Sequence, residues 1–249
     1  MHAPRKLFRE SADPRQQIER VRTPLLACHR VAFLGTPAAP ADASAGLAVA
    51  LGALLAEHRC HQVAVLDLAP PRPDAAAPTP PHALSALLTA APLPDAFRHV
   101  GGRLALLTAR PEHPYADHRQ SLTDLGTHYP VVLADATGAG DDARQAAVAS
   151  AADQVVIRAD ASLAGARTAS ALLDRLAAEG RGELARGAVV AFTPAPSGAP
   201  GPDRRHLVAH FLTRCRGVVV LPRRRPRARA AAILELAALT GDAMADRRI

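Results

Sequence analysis

The stretch from His29 to Pro70, HRVAFLGTPAAPADASAGLAVALGALLAEHRCHQVAVLDLAP, decides how the rest of the chain is read. It predicts a strand over Val31 to Leu34, a loop over Gly35 to Ser44, a helix over Ala45 to Glu57 and a second strand over Val63 to Leu66 that ends on Asp67. The helix rests on Leu47, Leu51, Leu54 and Leu55, which share one face at helical spacing. The strand runs are short, apolar and bounded by loop residues. Strand, loop, helix and parallel strand make a βαβ unit, whose loop aims backbone N–H groups at whatever sits above the sheet. A phosphate would sit there.

This loop is poorly equipped to hold one. A phosphate cradle needs glycines so that successive N–H groups converge without Cβ clashes, a lysine for the β and γ charges, and a hydroxyl for Mg²⁺. Between Thr36 and Gly46 the loop has Pro37 and Pro40, which have no N–H to donate, and alanines where glycines are wanted. Asp42 would repel the anion. The chain's only lysine is Lys6, so no shift of register restores the missing cation. Arg59 is expected past the helix, out of reach.

Composition bounds the rest. A chain of 249 residues suits one sizeable α/β domain that buries its core without disulfides or metals. With 49% apolar residues and only 3% aromatic, that core must be built from Ala, Leu and Val. The heavy use of Ala, Arg and Pro looks like coding from a GC-rich genome, which weakens the net charge of +7 as a sign of nucleic-acid binding. Cys28, Cys60 and Cys215 lack paired spacing, which fits a reducing compartment. His58-Arg59-Cys60-His61 lacks a second ligand pair, and no metal site is expected from it. No apolar signal segment opens the chain, and its longest apolar run, Ala43 to Ala56, is too short to span a bilayer. A cytoplasmic protein is expected.

Along the chain, a polar lead-in carries a short predicted helix over Gln16 to Val21. Pro70 to Pro81 is a proline-rich loop, followed by helical pieces over His82 to Ala90 and Pro94 to Val100 and a strand over Leu104 to Leu107. A helix over Ser121 to Gly126 leads to an apolar run, Val131 to Ala134, that ends on Asp135. Then come a helix over Asp142 to Ala151, a strand over Gln154 to Ile157, and a helix over Leu163 to Ala178 with Ser162 as N-cap. A strand over Ala188 to Phe192, a helix over Arg204 to Thr213 and a strand over Val218 to Leu221 follow. The last helix spans Arg227 to Met244, with Ile233, Leu236, Ala237 and Thr240 on one face. It is alanine-rich, lacks aromatics and has little basic charge on its polar face, so it is expected to dock on the sheet rather than lie on a membrane.

This order of elements resembles the MinD/ParA group of P-loop ATPases, most of all the actinobacterial members whose genes accompany type VII secretion. The motifs that carry the resemblance are the first βαβ unit, Asp67-Leu68-Ala69-Pro70, the strand ending on Asp135 with Ala136-Thr137-Gly138-Ala139-Gly140 after it, and Ser162-Leu163-Ala164-Gly165-Ala166-Arg167. The resemblance implies a doubly wound, mostly parallel α/β sheet in three layers, with an N-terminal arm over residues 1–22 and the domain over residues 23–249. It also implies that Arg20 to Leu26 packs against the domain edge.

In those relatives the loop is close to KGGVGKTT. Aligning on Leu51-Gly52 puts the phosphate-gripping lysine at Ser44 and the magnesium-binding threonine at Ala45, within a loop that also includes Gly35, Thr36 and Gly46. The asparagine that reads adenine falls at Thr193. Pro222 is followed by Arg223, Arg224 and Arg225 instead of the aromatic and aspartate found near the base. Asp67 and Asp135 match the family's water-sensing and magnesium-organising aspartates, and without the lysine and hydroxyl they are read as vestigial.

The expectation is a catalytically degenerate protein of this group, a pseudo-ATPase with no cofactor and no metal, acting as scaffold or regulator. Its partner would be a second copy or an active homologue. Two alternatives stand beside it. One is an ATP- and Mg-binding protein with an atypical loop. The other is a nucleic-acid-binding module using Arg223, Arg224, Arg225, Arg227 and Arg229, a run with no interleaved aromatic to stack on bases.

Overall fold

Short β-branched runs that alternate with longer helical ones bury their apolar surface by forming a parallel sheet covered on both faces. The computed structural model describes residues 13–35, 46–59, 61–68, 98–99, 103–108, 115–137, 142–196, 199–222 and 225–245. In chain order they form α1 (Pro14–Val21), β1 (His29–Gly35), α2 (Gly46–Arg59), β2 (Val63–Asp67), β3 (Arg98–His99), β4 (Leu104–Thr108), α3 (Tyr115–His128) and β5 (Val131–Asp135). There follow α4 (Asp142–Ser150), β6 (Gln154–Asp160), α5 (Leu163–Ala178), α6 (Gly182–Gly187), β7 (Val189–Thr193), α7 (Arg204–Leu212), β8 (Gly217–Val220) and α8 (Pro226–Ala245).

The strands make one sheet in the order β3-β4-β2-β5-β1-β6-β7-β8. All neighbours are parallel except β3, which runs antiparallel to β4. This is the doubly wound, mostly parallel sheet expected. Alternation of side chains gives the two cores. Val31 and Phe33 of β1 face Leu47, Leu51 and Leu55 of α2 and Leu236 and Ala237 of α8. Ala32 and Leu34 face the other layer, built by Leu122 of α3, Val148 of α4, Leu172 of α5 and Phe211 of α7. Each fully buried Leu or Val contributes about 1.5–3 kcal/mol. Gly52 explains the close seat of α2 on the sheet, since a Cβ there would lie 2.9 Å from a Val65 methyl and 3.0 Å from a Leu104 methyl.

α8 is docked, as expected, with Leu236, Ala237, Ala238 and Thr240 fully buried. Among the described residues no helix is long and apolar enough to cross a membrane. α1 is capped by Asp13 and packs on α8, where Arg20 Nε donates to Asp242 Oδ1 at 2.9 Å.

Several boundaries differ from expectation. Within the stretch predicted as helix over Pro94 to Val100, Arg98 and His99 are β3, because pairing to the edge of β4 outweighs weak helical propensity. The predicted loop over Pro70 to Pro81 and helix over His82 to Ala90 lie outside the described residues. α3 begins at Tyr115, before the expected Ser121, and β6 runs on to Asp160 past Ile157. α6 was not expected. Packing of the lead-in stops short of Leu26, which is 73% exposed. Arg59 is the last residue of α2 rather than past it.

Candidate functional site

The C-terminal ends of parallel strands, where the order of connection reverses, are where ligands sit in sheets of this kind. Here that edge brings together Gly35 of β1, Asp67 of β2, Asp135 of β5, Arg158 and Asp160 of β6, and Thr193 of β7. Asp67 lies in register with Asp135, Gly35 with Arg158, and Asp160 with Thr193. Alternation from Val65, Leu133 and Val156 turns Asp67, Asp135 and Arg158 toward the face covered by α2.

Gly35 closes β1 with φ +146°, and a Cβ there would lie 2.1 Å from the Arg158 carbonyl oxygen, so glycine alone fits. Its backbone is held by one side chain. Gly35 N–H donates to Gln145 Oε1 at 3.2 Å, and Gln145 Nε2 donates to the Gly35 carbonyl at 3.1 Å. The next residues, among them Thr36, Ser44 and Ala45, lie outside the described residues, and α2 opens on Gly46. Arg229 of α8 reaches this point: its Nη2 is 3.9 Å from where a Gly46 Cβ would be.

Asp135 is 4% exposed, and its Oδ1 accepts from Thr137 N–H at 3.0 Å and from Thr137 Oγ1 at 2.5 Å. Arg158, 3% exposed, donates from Nη1 to Thr137 Oγ1 at 3.5 Å. Burial pushes the Asp135 carboxyl up to about 6; the Thr137 hydrogen bonds oppose this, Asp67 adds to it and Arg158 opposes it. Asp135 is thus part of an Asp-Thr-Arg network supplied by the chain. Beyond it, Arg144 Nη1 donates to the Leu68 carbonyl at 3.1 Å, fixing the exit of β2.

At the far end of the row, Thr193 Oγ1 donates to the Ala159 carbonyl at 3.3 Å. Asp160 Oδ1 accepts from Ser162 N–H at 2.8 Å, and Ser162 caps α5 by accepting from Gly165 N–H at 3.0 Å. Pro222 follows β8 and is half-buried. Of the basic run, Arg225 and Arg227 are exposed, Arg229 is half-buried, and Arg223 and Arg224 lie outside the described residues. On the opposite face an open cleft of about 230 Å³ between α4 and α5 reaches Gly35 and Gln145, with an Asp142–Arg175 ion pair of 2.7 Å on its wall. Among the described residues no group of three or more His, Cys, Asp or Glu could hold a metal ion.

The sequence singled out Gly35, Gly46, Asp67, Asp135 and Thr193, and the fold gathers them on one edge. It did not single out Arg158, Gln145 or the meeting of Arg229 with α2. A charged residue at the end of an apolar strand was the only local signal for Arg158.

The fold is that of the MinD/ParA P-loop ATPases. The chain is similar to a ParA family ATPase from Chlorobium tepidum, at 15% identity over 88% of this chain and 98% of that one, with a TM-score of 0.57. It is similar to the MinC:MinD cell division protein complex of Aquifex aeolicus, at 14% identity over 88% and 97% of the two chains, TM-score 0.58. A plasmid partition protein from Borrelia burgdorferi matches at 14% identity over 84% and 97%, TM-score 0.57. No family model matches the sequence, and no curated protein is similar to it at a significant level.

Proposed function

We propose that this chain is a catalytically inactive MinD/ParA-like protein, of the type VII secretion-associated kind, that works as a scaffold or regulator by binding protein. The observation that carries the reading is the loop itself: from Gly35 to Gly46 it has no lysine or arginine, two prolines and an aspartate. The donors around it agree. A magnesium nucleotide needs a carboxylate with free lone pairs, a hydroxyl and a cation over the phosphates. Asp135 Oδ1 is taken up by Thr137, and Arg158, which donates to the same Thr137 hydroxyl, sets a fixed positive charge beside the carboxylate that would repel a magnesium ion. These residues do not fit the metal-bound nucleotide.

The partner is a second copy or an active homologue, docked through the face where nucleotide-dependent relatives pair. Light scattering on the purified chain, alone and mixed with an intact homologue, tests this. A complex formed without nucleotide is expected; a monomer indifferent to homologue and nucleotide contradicts it.

One observation favours a second reading. Arg229 lies against the start of α2, where an arginine from elsewhere in the fold would stand in for the missing lysine of an atypical nucleotide site.

A further inference from the structure

The two edges of the sheet are finished differently. One is closed by β3, only two residues long and antiparallel. The other is β8, whose residues pair in register with β7 from Gly217 with Val189 to Val220 with Phe192, and with no other described strand. Leu221 N–H donates to the Phe192 carbonyl at 2.8 Å. By the alternation of a parallel ladder, Val219 therefore faces β7, while the backbone groups of Val218 and Val220 face away from it. Val218 and Val220 are also the two half-buried residues of the strand, and Gly217 and Val219 are buried. A regular, β-branched edge of this kind is a template for another strand.

Charge selects what fits. Arg214 and Arg216 precede the strand and Arg223, Arg224, Arg225, Arg227 and Arg229 follow it, with no Asp or Glu anywhere from 214 to 229. Arg214 is ion-paired to Asp174, and Arg225 and Arg227 are exposed. We propose that the β8 edge takes up an extended acidic segment of a partner protein as an added strand, with Val218 and Val220 supplying the main-chain hydrogen bonds and the exposed Arg225 and Arg227 that follow the strand selecting the sign. Main-chain pairing gives such a contact its affinity, and the side chains at the flanks give it choice of partner. A second copy fits poorly, because it would set the same arginine-flanked run against itself. A polynucleotide would engage the arginines but has no backbone to pair with the edge. The inference stands whether or not the pocket above α2 holds nucleotide.

The test uses the full chain, isotopically labelled, and three synthetic peptides: one alternating glutamate with valine and threonine, its lysine counterpart, and the glutamate peptide interrupted by proline. The glutamate peptide is expected to bind, with the Val218 and Val220 amides shifting and gaining protection from exchange. The lysine and proline-interrupted peptides are expected to bind at least about tenfold more weakly. Arg225/Arg227→Glu in the protein is expected to lose about tenfold or more. Val220→Pro, which removes an outward donor and no ladder bond, is expected to do the same. The Arg→Glu variant lies outside the strand, so it keeps the test open if the proline variant fails to fold. The proposal is overturned if no peptide binds, if the lysine peptide binds equally, or if protection maps away from β8. It is also overturned if the chain pairs with itself through β8, or if a single-stranded oligonucleotide binds and displaces the peptide while the Val218 and Val220 amides stay unchanged.

Discussion

Both ends of α2 meet an arginine, and the two settings are electrostatically opposite. At the C-terminal end, where a helix carries partial negative charge, Arg59 is 6% exposed and donates to the carbonyls of Val21 and Thr23. It ties α2 to the segment behind α1, and the dipole favours the cation there. At the N-terminal end the sign is reversed. The first described turn of α2 carries no acid, yet Arg229 comes to within 3.9 Å of the Gly46 Cβ position. The C-terminal end is completed by the chain's own carbonyls, while the N-terminal end gathers positive potential without a carboxylate in its first turn.

The comparison can be broken at several points. The largest effect is expected beside the N-terminal end, at Gly35→Ala. The side chain would be driven into the Arg158 carbonyl at a φ of +146°, and urea unfolding should show a loss of about 3–5 kcal/mol from strain and overpacking together. If the loss is below about 1 kcal/mol, the close approach of β1 to β6 is wrong.

The second effect concerns pH. Asp135 is raised from 3.8 to about 6 by burial, so between these values the native state holds a proton that the unfolded chain has released. Stability should therefore fall as pH rises from about 4 to about 6, by on the order of 3 kcal/mol at most. Asp135→Asn should remove this part of the slope, read from urea midpoints across the window. An unchanged slope would remove Asp135 from the account.

The third and fourth predictions test the two arginines directly. Arg59→Ala should cost about 2 kcal/mol, since two carbonyls lose their charged donor and the helix end loses its packing. Arg229→Ala, at a half-exposed site, should change stability by less than about 0.5 kcal/mol. Equal losses at the two sites would erase the contrast between the ends.

Much of the fold was legible because each buried strand is an apolar run between loop residues, from Val31 to Leu34 and again from Val131 to Asp135. The Ser162 cap also read correctly, because it meets a local requirement at the start of α5. What could not be read depends on distant partners. β3 exists only because β4 offers an edge, and α6 is too short to show a period. The sequence pattern ends β6 at Ile157, because Arg158 and Asp160 look like the start of a loop until Thr137 and Ser162 are seen to satisfy them. Likewise, Gln145 is one polar residue in an amphipathic helix until it closes on the Gly35 backbone. Arg229 was legible as charge but not as a neighbour of α2.

The proposal that the edge above α2 no longer clasps nucleotide is put to the test by titration calorimetry with ATP and Mg²⁺. No heat beyond dilution is expected for the native chain and for Arg229→Ala alike. Micromolar binding to the native chain would contradict it, and binding lost in Arg229→Ala would show that this arginine has taken the lysine's place.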